Sequence, residues 1–303
     1  MGRLFIVGAA KCGTTSLYNY LKGHPELYFS LVKEPNYFSK VYPLTNSEKI
    51  RPKKGKEYHS KVITDKFVYD SLFDDANLVQ HKYLCECSTS YLFDKDSARL
   101  IKATYPDAKI IVMLRNPVHR AFSHYKMYLN SGVEKNENFL NALISDYQKK
   151  EKVLGRDFAY IDIGMYYKQL SRYYHEFDSS QIKIVIFEEF IKNVPQALLE
   201  IGHFLGISTT YFKEMKFGKT HNESLKPKNN FIKFLVILKN KFYYLFDFMP
   251  NSIKYRLKSF LLVKDSDKTI NPKAVAYIND ILHEDLMSLK EYLSEKEMDQ
   301  LMN

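Results

Sequence analysis

The sequence predicts an α/β fold: a P-loop-like, doubly wound parallel sheet flanked by helices, with a helical C-terminal segment. Two observations indicate this fold. Apolar strand-like runs alternate with segments in which apolar residues recur at helical spacing. In the first such unit, FIVGAAKCGTTSLYNYL (residues 5–21), a glycine-bearing loop joins an apolar strand to an amphipathic helix. That arrangement is typical of a site that binds phosphate.

Each further element follows from a local pattern. The run from Ile110 to Leu114 is continuously apolar, as expected of a parallel strand buried on both faces. Pro117 then suits the first turn of a helix. Residues 41–66 are polar and lysine-rich, which predicts a loop with some helix. In all, strands are predicted within 3–9, 26–31, 82–93, 108–117 and 181–190. Helices are predicted at 14–24 and 164–177, and from about Lys273.

Composition narrows the class of protein. The chain has 303 residues and 45% hydrophobic content, and we expect one domain, with a core in about 1–225 and a C-terminal extension of the same domain in 226–303. A net charge of +10 predicts an anionic partner. Lysines interrupt every long apolar stretch, which argues against a transmembrane helix. No secretory signal is visible, so we expect a cytoplasmic location. The odd cysteine count, Cys12, Cys85 and Cys87, argues against disulfides and structural zinc.

The first loop departs from the nucleoside triphosphate pattern in the position of its lysine. That pattern places lysine directly after the second glycine, where this chain has Thr14. Its lysine, Lys11, stands earlier in the loop. Backbone N–H groups, hydroxyls and the positive end of a helix still favour an anion. The predicted binding loop comprises Lys11, Cys12, Gly13, Thr14, Thr15 and Ser16.

This loop resembles the 5'-phosphosulfate loop of sulfotransferases that use 3'-phosphoadenosine 5'-phosphosulfate (PAPS), in which lysine precedes a G-T-T or G-T-S run. IIVMLRNPVHRAFSHY (110–125) is similar to the same family's 3'-phosphate site and places Arg115 and Ser123 at its key positions. An arginine fork with a hydroxyl suits a terminal phosphate. The resemblance implies PAPS as donor, adenosine 3',5'-bisphosphate (PAP) as product, and no metal.

Four further segments extend this resemblance, which is closest to carbohydrate (heparan sulfate-type) and bacterial members. HPELYFSLVKEPNYFS (24–39) resembles their K-E-P segment, which implies Glu34 as the catalytic base, with Lys11 as the other catalytic residue. His124 is the alternative proton acceptor. FGKTHNES (217–224) resembles a late basic loop. The segments ECSTSYLF (86–93) and YIDIGMYYKQLSRYYHEF (160–177) also match in outline. The late basic loop implies nucleotide contacts from Lys219, His221 and Asn222.

Two positions depart from the heparan-type pattern. Asn36 stands where some members have histidine, and Cys87 where some have lysine. We therefore leave the acceptor open, while expecting a saccharide or glycolipid hydroxyl or amine. The aromatic residues come with no base-reading motif, so we expect no nucleic-acid partner. The lysines of residues 232–264 predict peripheral contact with an anionic glycan or membrane surface.

The sequence therefore predicts a PAPS-dependent sulfotransferase. One alternative is a P-loop kinase-like phosphotransferase. The other is a non-catalytic protein of the same fold that binds nucleotides or polyanions.

Overall fold

The structure is a computed structural model, and it describes most of the chain. The described residues are 1–40, 47–48, 58–59, 62–150, 152, 157–215, 225–229, 232, 262–264 and 269–302. Lys219, His221 and Asn222 lie outside these residues. So do most of the predicted excursion at 41–66 and most of the basic stretch at 232–264.

Strands and helices are interleaved along the chain, with β2 to β6 following one another directly among the described residues. The strands are β1 (Gly2–Gly8), β2 (Leu27–Phe29), β3 (Val32–Lys33), β4 (Ser47–Glu48), β5 (Tyr58–His59), β6 (Val62–Ile63), β7 (Tyr83–Cys87), β8 (Lys109–Leu114), β9 (Ile182–Ile186), β10 (Leu225–Pro227) and β11 (Leu262–Lys264). The α-helices are α1 (Thr14–Leu21), α2 (Lys66–Ser71), α3 (Ser90–Phe93), α4 (Ser97–Thr104), α5 (Pro117–Ser131), α6 (Phe139–Tyr147), α7 (Tyr166–Glu176), α8 (Phe187–Lys192), α9 (Val194–Leu205), α10 (Thr210–Glu214), α11 (Pro272–Ser288) and α12 (Glu295–Met302). Short 3₁₀ turns occupy Asp162–Gly164, Ser179–Gln181 and Leu289–Glu291.

Five parallel strands form the central sheet, in the order β2-β7-β1-β8-β9. Ile110 to Leu114 of β8 are fully buried, and β8 pairs with β1 on one side and β9 on the other. The predicted strand buried on both faces is therefore confirmed, as is the parallel α/β sheet flanked by helices.

The order of the strands creates a crevice at one edge of the sheet. After β1 the chain crosses to β2 and β7, whereas β8 and β9 lie on the opposite side of β1. Connections that leave two neighbouring parallel strands in opposite directions open a crevice at the carboxyl ends of those strands. The loop after β1 and the residues after β8 therefore meet at this switch point.

Two predicted β-rich runs are shorter than the sequence suggested. In 82–93, the strand ends at Cys87 and α3 begins at Ser90, where buried Tyr91 and Leu92 pack into the core. In 181–190, the strand ends at Ile186 and α8 follows. Glutamates in the first turn of α8, Glu188 and Glu189, favour a helix start because they complement its positive end.

The C-terminal helices pack onto the body of the protein. α11 buries Ala274, Ile278, Leu282 and Leu286 at four-residue spacing and contacts α5, α6 and α7, while α12 contacts α8 and β9. The carboxylate of Asp285 accepts hydrogen bonds from the backbone N–H groups of Tyr167 (2.9 Å) and Lys168 (3.0 Å). A side chain of α11 thereby caps α7, whose own N-cap residue supplies no side-chain bond. Among the described residues, no helix is both long and apolar enough to cross a membrane.

Replacing Asp285 with alanine should lower the free energy of unfolding by about 1–2 kcal/mol, because two N–H groups at the start of α7 lose their acceptor. Urea denaturation measures this change. The control is Asp280→Ala at an exposed position of the same helix, which should change stability by less than about 0.5 kcal/mol. Equal effects of the two substitutions would contradict the tertiary cap.

Candidate donor and acceptor site

The loop between β1 and α1 is shaped to receive an anion. Gly13 is the N-cap residue of α1 and has φ of 88°, in the left-handed region that glycine adopts readily. A Cβ at this position would lie 2.6 Å from Cδ2 of Phe187, so glycine is also required for space. The N-terminus of α1 has no side-chain cap and no acidic residue in its first turn. Its positive end is therefore not neutralised by a carboxylate of that turn.

Lys11 and Arg115 are brought together at the switch point, although 104 positions separate them in the sequence. Arg115 follows β8, and its Nη1 donates a hydrogen bond to the backbone carbonyl of Lys11 at 3.2 Å. The Lys11 ammonium extends along α5 to within 3.6 Å of the Met127 sulfur. Burial, and then repulsion by Arg115, lowers the pKa of Lys11 below its usual range. Two cationic side chains thus face the same crevice.

Ser123 lies on the face of α5 that Lys11 approaches. It precedes Met127 by four residues, which places the two side chains one above the other on the helix, and it is half-buried. Asn116 caps α5 by accepting hydrogen bonds from the N–H groups of Val118 and His119, and Pro117 occupies its first turn as predicted. The helix therefore carries Ser123 beside the predicted phosphate crevice.

One predicted loop residue, Cys12, points into the core. The Cys12 side chain is fully buried, its sulfur lies 3.6 Å from the Tyr166 hydroxyl, and burial raises its pKa to about 11. Only its backbone is placed to meet a ligand. Thr14 and Ser16 are buried, and Thr15 is half-buried.

Sequence reasoning missed Tyr166, which holds the two halves of the crevice together. Its buried hydroxyl donates to the backbone carbonyl of Arg115 at 2.8 Å and also contacts Cys12 of the first loop. The residue lies in the segment YIDIGMYYKQL, which the sequence singles out without assigning this tyrosine a role. The hydroxyl of a buried tyrosine needs a hydrogen-bond partner. That requirement is the one feature of the sequence that could have indicated a structural contact for Tyr166.

Glu34 sits in a strained turn on the other side of β1. It is only 9% exposed and has φ of 62°, which is uncommon for a residue with a side chain. Its backbone N–H donates to the Cys87 carbonyl at 2.9 Å, and its Oε1 accepts from Lys33 Nζ at 2.7 Å. Because β7 neighbours β1, this anchoring places Glu34 at the same edge of the sheet as the loop of Lys11.

Asn36 and Ser88 hold this turn in place. The Asn36 amide group donates to the Glu34 carbonyl at 2.7 Å and accepts from the Ser90 hydroxyl at 2.7 Å. Its backbone N–H donates to Ser88 Oγ, which in turn donates to buried Glu86. The turn that carries Glu34 is therefore bound to the end of β7 and the start of α3.

The two residues that depart from the heparan-type pattern are buried. Asn36 and Cys87 are each 1% exposed, and burial raises the pKa of the Cys87 thiol to about 12. Both are therefore parts of the turn's framework, and neither side chain is available to an acceptor.

His124 is buried against the rings of Tyr128 and Tyr160. Burial, followed by the positive charges of Arg120 and Lys11, lowers its pKa well below 6.5. The imidazole is therefore neutral at neutral pH and a weak proton acceptor. In the part of the chain that the structure describes, no group of three His, Cys, Asp or Glu side chains could hold a metal ion.

Comparisons with known proteins agree on one family. A model described as the sulfotransferase family matches residues 3–211. Human carbohydrate sulfotransferase 15 is 25% identical over 255 residues, covering 67% of this chain and 43% of that protein, so the chain spans less than half of its relative. A crystal structure of a sulfotransferase from Alicyclobacillus acidocaldarius is 26% identical, with a TM-score of 0.65 and coverage of 96% of this chain and 95% of its own. A mouse sulfotransferase complexed with PAP shares the fold, at 14% identity and a TM-score of 0.52, over 100% of this chain and 90% of its own.

Replacing Asn36 with alanine should lower the free energy of unfolding by about 2–4 kcal/mol, because two buried partners lose their bonds and alanine must adopt φ of 54°. Chemical denaturation tests this expectation. The matched control is Asn138→Ala, which removes an exposed cap of α6 and should cost about 1 kcal/mol. If Asn36→Ala costs no more than the control, the turn does not depend on Asn36.

Proposed function

The chain belongs to the sulfotransferase family, and on this basis we propose that it transfers a sulfuryl group from PAPS to a hydroxyl or amine of a carbohydrate acceptor, releasing PAP. The observation that carries the proposal is the meeting of two phosphate-binding elements, the Lys11 loop and Arg115, at the carboxyl ends of β1 and β8. A ligand with phosphates at both ends of one nucleoside matches two such elements better than a simple nucleoside monophosphate does.

The donor would bind across the crevice. The phosphosulfate end would lie on the N-terminus of α1, where N–H groups and the helix dipole favour an anion. The 3'-phosphate would lie between Arg115 and Ser123. PAP bound to the mouse sulfotransferase supports this choice of nucleotide.

The chemistry would be an in-line displacement at sulfur. The acceptor oxygen or nitrogen forms a bond to sulfur while the bond from sulfur to the 5'-phosphate oxygen breaks, and the electron pair of that bond leaves with PAP. Lys11 and the loop N–H groups would stabilise the charge that develops on the departing oxygen. The acceptor's proton would pass to a base on the opposite side.

Glu34 is the base that the local geometry supports better. Its carboxylate is held in place by a hydrogen bond from the Lys33 ammonium at 2.7 Å, in a turn anchored to the end of β7. His124, the alternative, has its basicity suppressed by burial and by neighbouring cations.

A saccharide or glycolipid acceptor follows from the relatives and from charge. Human carbohydrate sulfotransferase 15 is named for carbohydrate acceptors. The net charge of +10 would attract an anionic glycan. Contact of residues 232–264 with a glycan or membrane surface, and a cytoplasmic location, remain proposals of the same kind.

Glu34→Gln should slow sulfate transfer by about 100-fold or more, because glutamine keeps the shape of the side chain but cannot accept the proton. PAP affinity should stay within about threefold of wild type. The assay follows labelled sulfate from PAPS to phenols, simple sugars and acidic polysaccharides. Glu200→Gln, at a surface ion pair with Lys183, is the control and should leave turnover unchanged.

Each alternative gives a different result in this assay, in the same assay with labelled ATP, or in a PAP-binding measurement. Near-normal transfer by Glu34→Gln would assign the base elsewhere. Phosphate transfer from ATP, abolished by a chelator, would favour the kinase, while tight PAP binding without transfer to any acceptor would favour a binding protein. Preference for phenols would contradict the carbohydrate acceptor.

A further inference from the structure

Arg120 is a buried cation directly behind the first loop. It lies on the inner face of α5 and is 0% exposed. Its Nη2 donates to the backbone carbonyl of Tyr160, whereas Nε and Nη1 have no hydrogen-bond partner among the described residues. Cys12 and Tyr166, which join the two sides of the crevice, are among its neighbours. A guanidinium placed this way is only partly satisfied by the protein.

The described residues supply no carboxylate within ion-pair distance of Arg120. Asp162, an acid near it, is already paired with Lys152. Glu188 lies 3.9 Å from Arg115. A buried positive charge without such a partner is costly to a folded protein.

This excess charge acts on its neighbours. Lys11 and Arg115 lie at the crevice, and Arg120 is buried behind it; among the described residues, Glu188 is the carboxylate within 4 Å of any of the three. Burial is the largest cause of the lowered pKa of His124 and of Lys11; Arg120 and Lys11 lower that of His124 further, and Arg115 and Arg120 lower that of Lys11 further. Three cations with one carboxylate within 4 Å among the described residues give this region a positive potential.

We propose that Arg120 is an affinity-determining residue that acts from behind the Lys11 loop without touching the donor. Its uncompensated charge stabilises the bound bisphosphate anion and destabilises the free protein. The inference rests on the proposed function, because it takes the anionic nucleotide as the partner that completes this charge cluster. A ligand that binds only the folded state then stabilises the protein by linkage.

Two substitutions separate the charge of Arg120 from its hydrogen bond. Arg120→Gln retains a donor for the Tyr160 carbonyl but removes the charge, whereas Arg120→Lys retains the charge. Calorimetry with PAP, adenosine 5'-monophosphate and adenosine measures how the effect scales with ligand charge. Arg120→Gln should weaken PAP by about tenfold or more, the monophosphate less, and adenosine not at all. Arg120→Lys should stay near wild type for all three ligands.

The free Arg120→Gln protein should unfold at the same temperature as wild type or higher, and PAP should raise that temperature less. Arg99→Gln, at an exposed ion pair with Asp96, is the control and should change neither. Equal weakening of all three ligands, or lower stability with normal PAP affinity, would overturn the proposal and make Arg120 structural.

The proposed function fails in a different way. If wild-type protein binds PAP no better than adenosine, the donor assignment is wrong. In that case inorganic pyrophosphate is titrated in place of the nucleotides. If Arg120→Gln binds pyrophosphate as tightly as wild type does, the proposed role of Arg120 is overturned. If Arg120→Gln does not fold, the test uses Arg120→Lys alone. An equal loss of affinity for all three ligands in Arg120→Lys would overturn the proposed role of Arg120.

Discussion

The hydrogen bond from Arg115 to the Lys11 carbonyl joins the ends of β1 and β8, and the candidate site depends on this contact. Tyr166 reinforces it by bonding the Arg115 carbonyl and touching Cys12. Parallel strands bring their carboxyl ends to one edge of a sheet, but strand pairing alone does not fix the loops that follow. These side-chain contacts fix the loop that would hold the 5'-group relative to the arginine that would hold the 3'-phosphate. The separation of the two phosphates would then be set before a ligand arrives.

Local patterns predicted much of this fold. The apolar run in β8, the glycine loop before α1 and the proline at the start of α5 each specify their own element. The ends of the strands at Cys87 and Ile186 were missed because apolar residues continue beyond them. In α3 and α8 these residues face the protein core from a helix instead of from a strand. The cap that Asp285 gives α7 is a contact 118 positions apart in sequence, which no local pattern encodes.

The site was predicted in its residue types more than in its geometry. Lys11 and Arg115 follow the ends of β1 and β8, and Glu34 is anchored to the end of β7. The left-handed turn at Glu34 could not be predicted, because it is imposed by Asn36 and by Ser88, a residue 52 positions beyond Asn36. Arg120 was overlooked since a charged residue in a helix is usually exposed. Its burial results from the packing of α5 against the Tyr160 segment, a contact between residues 40 positions apart that no local pattern encodes.

The central claim is that Arg115 couples the two phosphate positions through the Lys11 loop. The most direct test is calorimetric titration of adenosine 3'-monophosphate and adenosine 5'-monophosphate into wild type, Arg115→Ala and Ser123→Ala. Arg115→Ala should weaken the 3'-monophosphate by about tenfold or more and the 5'-monophosphate by a smaller but measurable factor. Ser123→Ala should weaken the 3'-monophosphate alone. Ser123→Ala should leave the affinity for the 5'-monophosphate unchanged. If Arg115→Ala also leaves it unchanged, the Lys11 loop does not depend on Arg115 and the claim is contradicted.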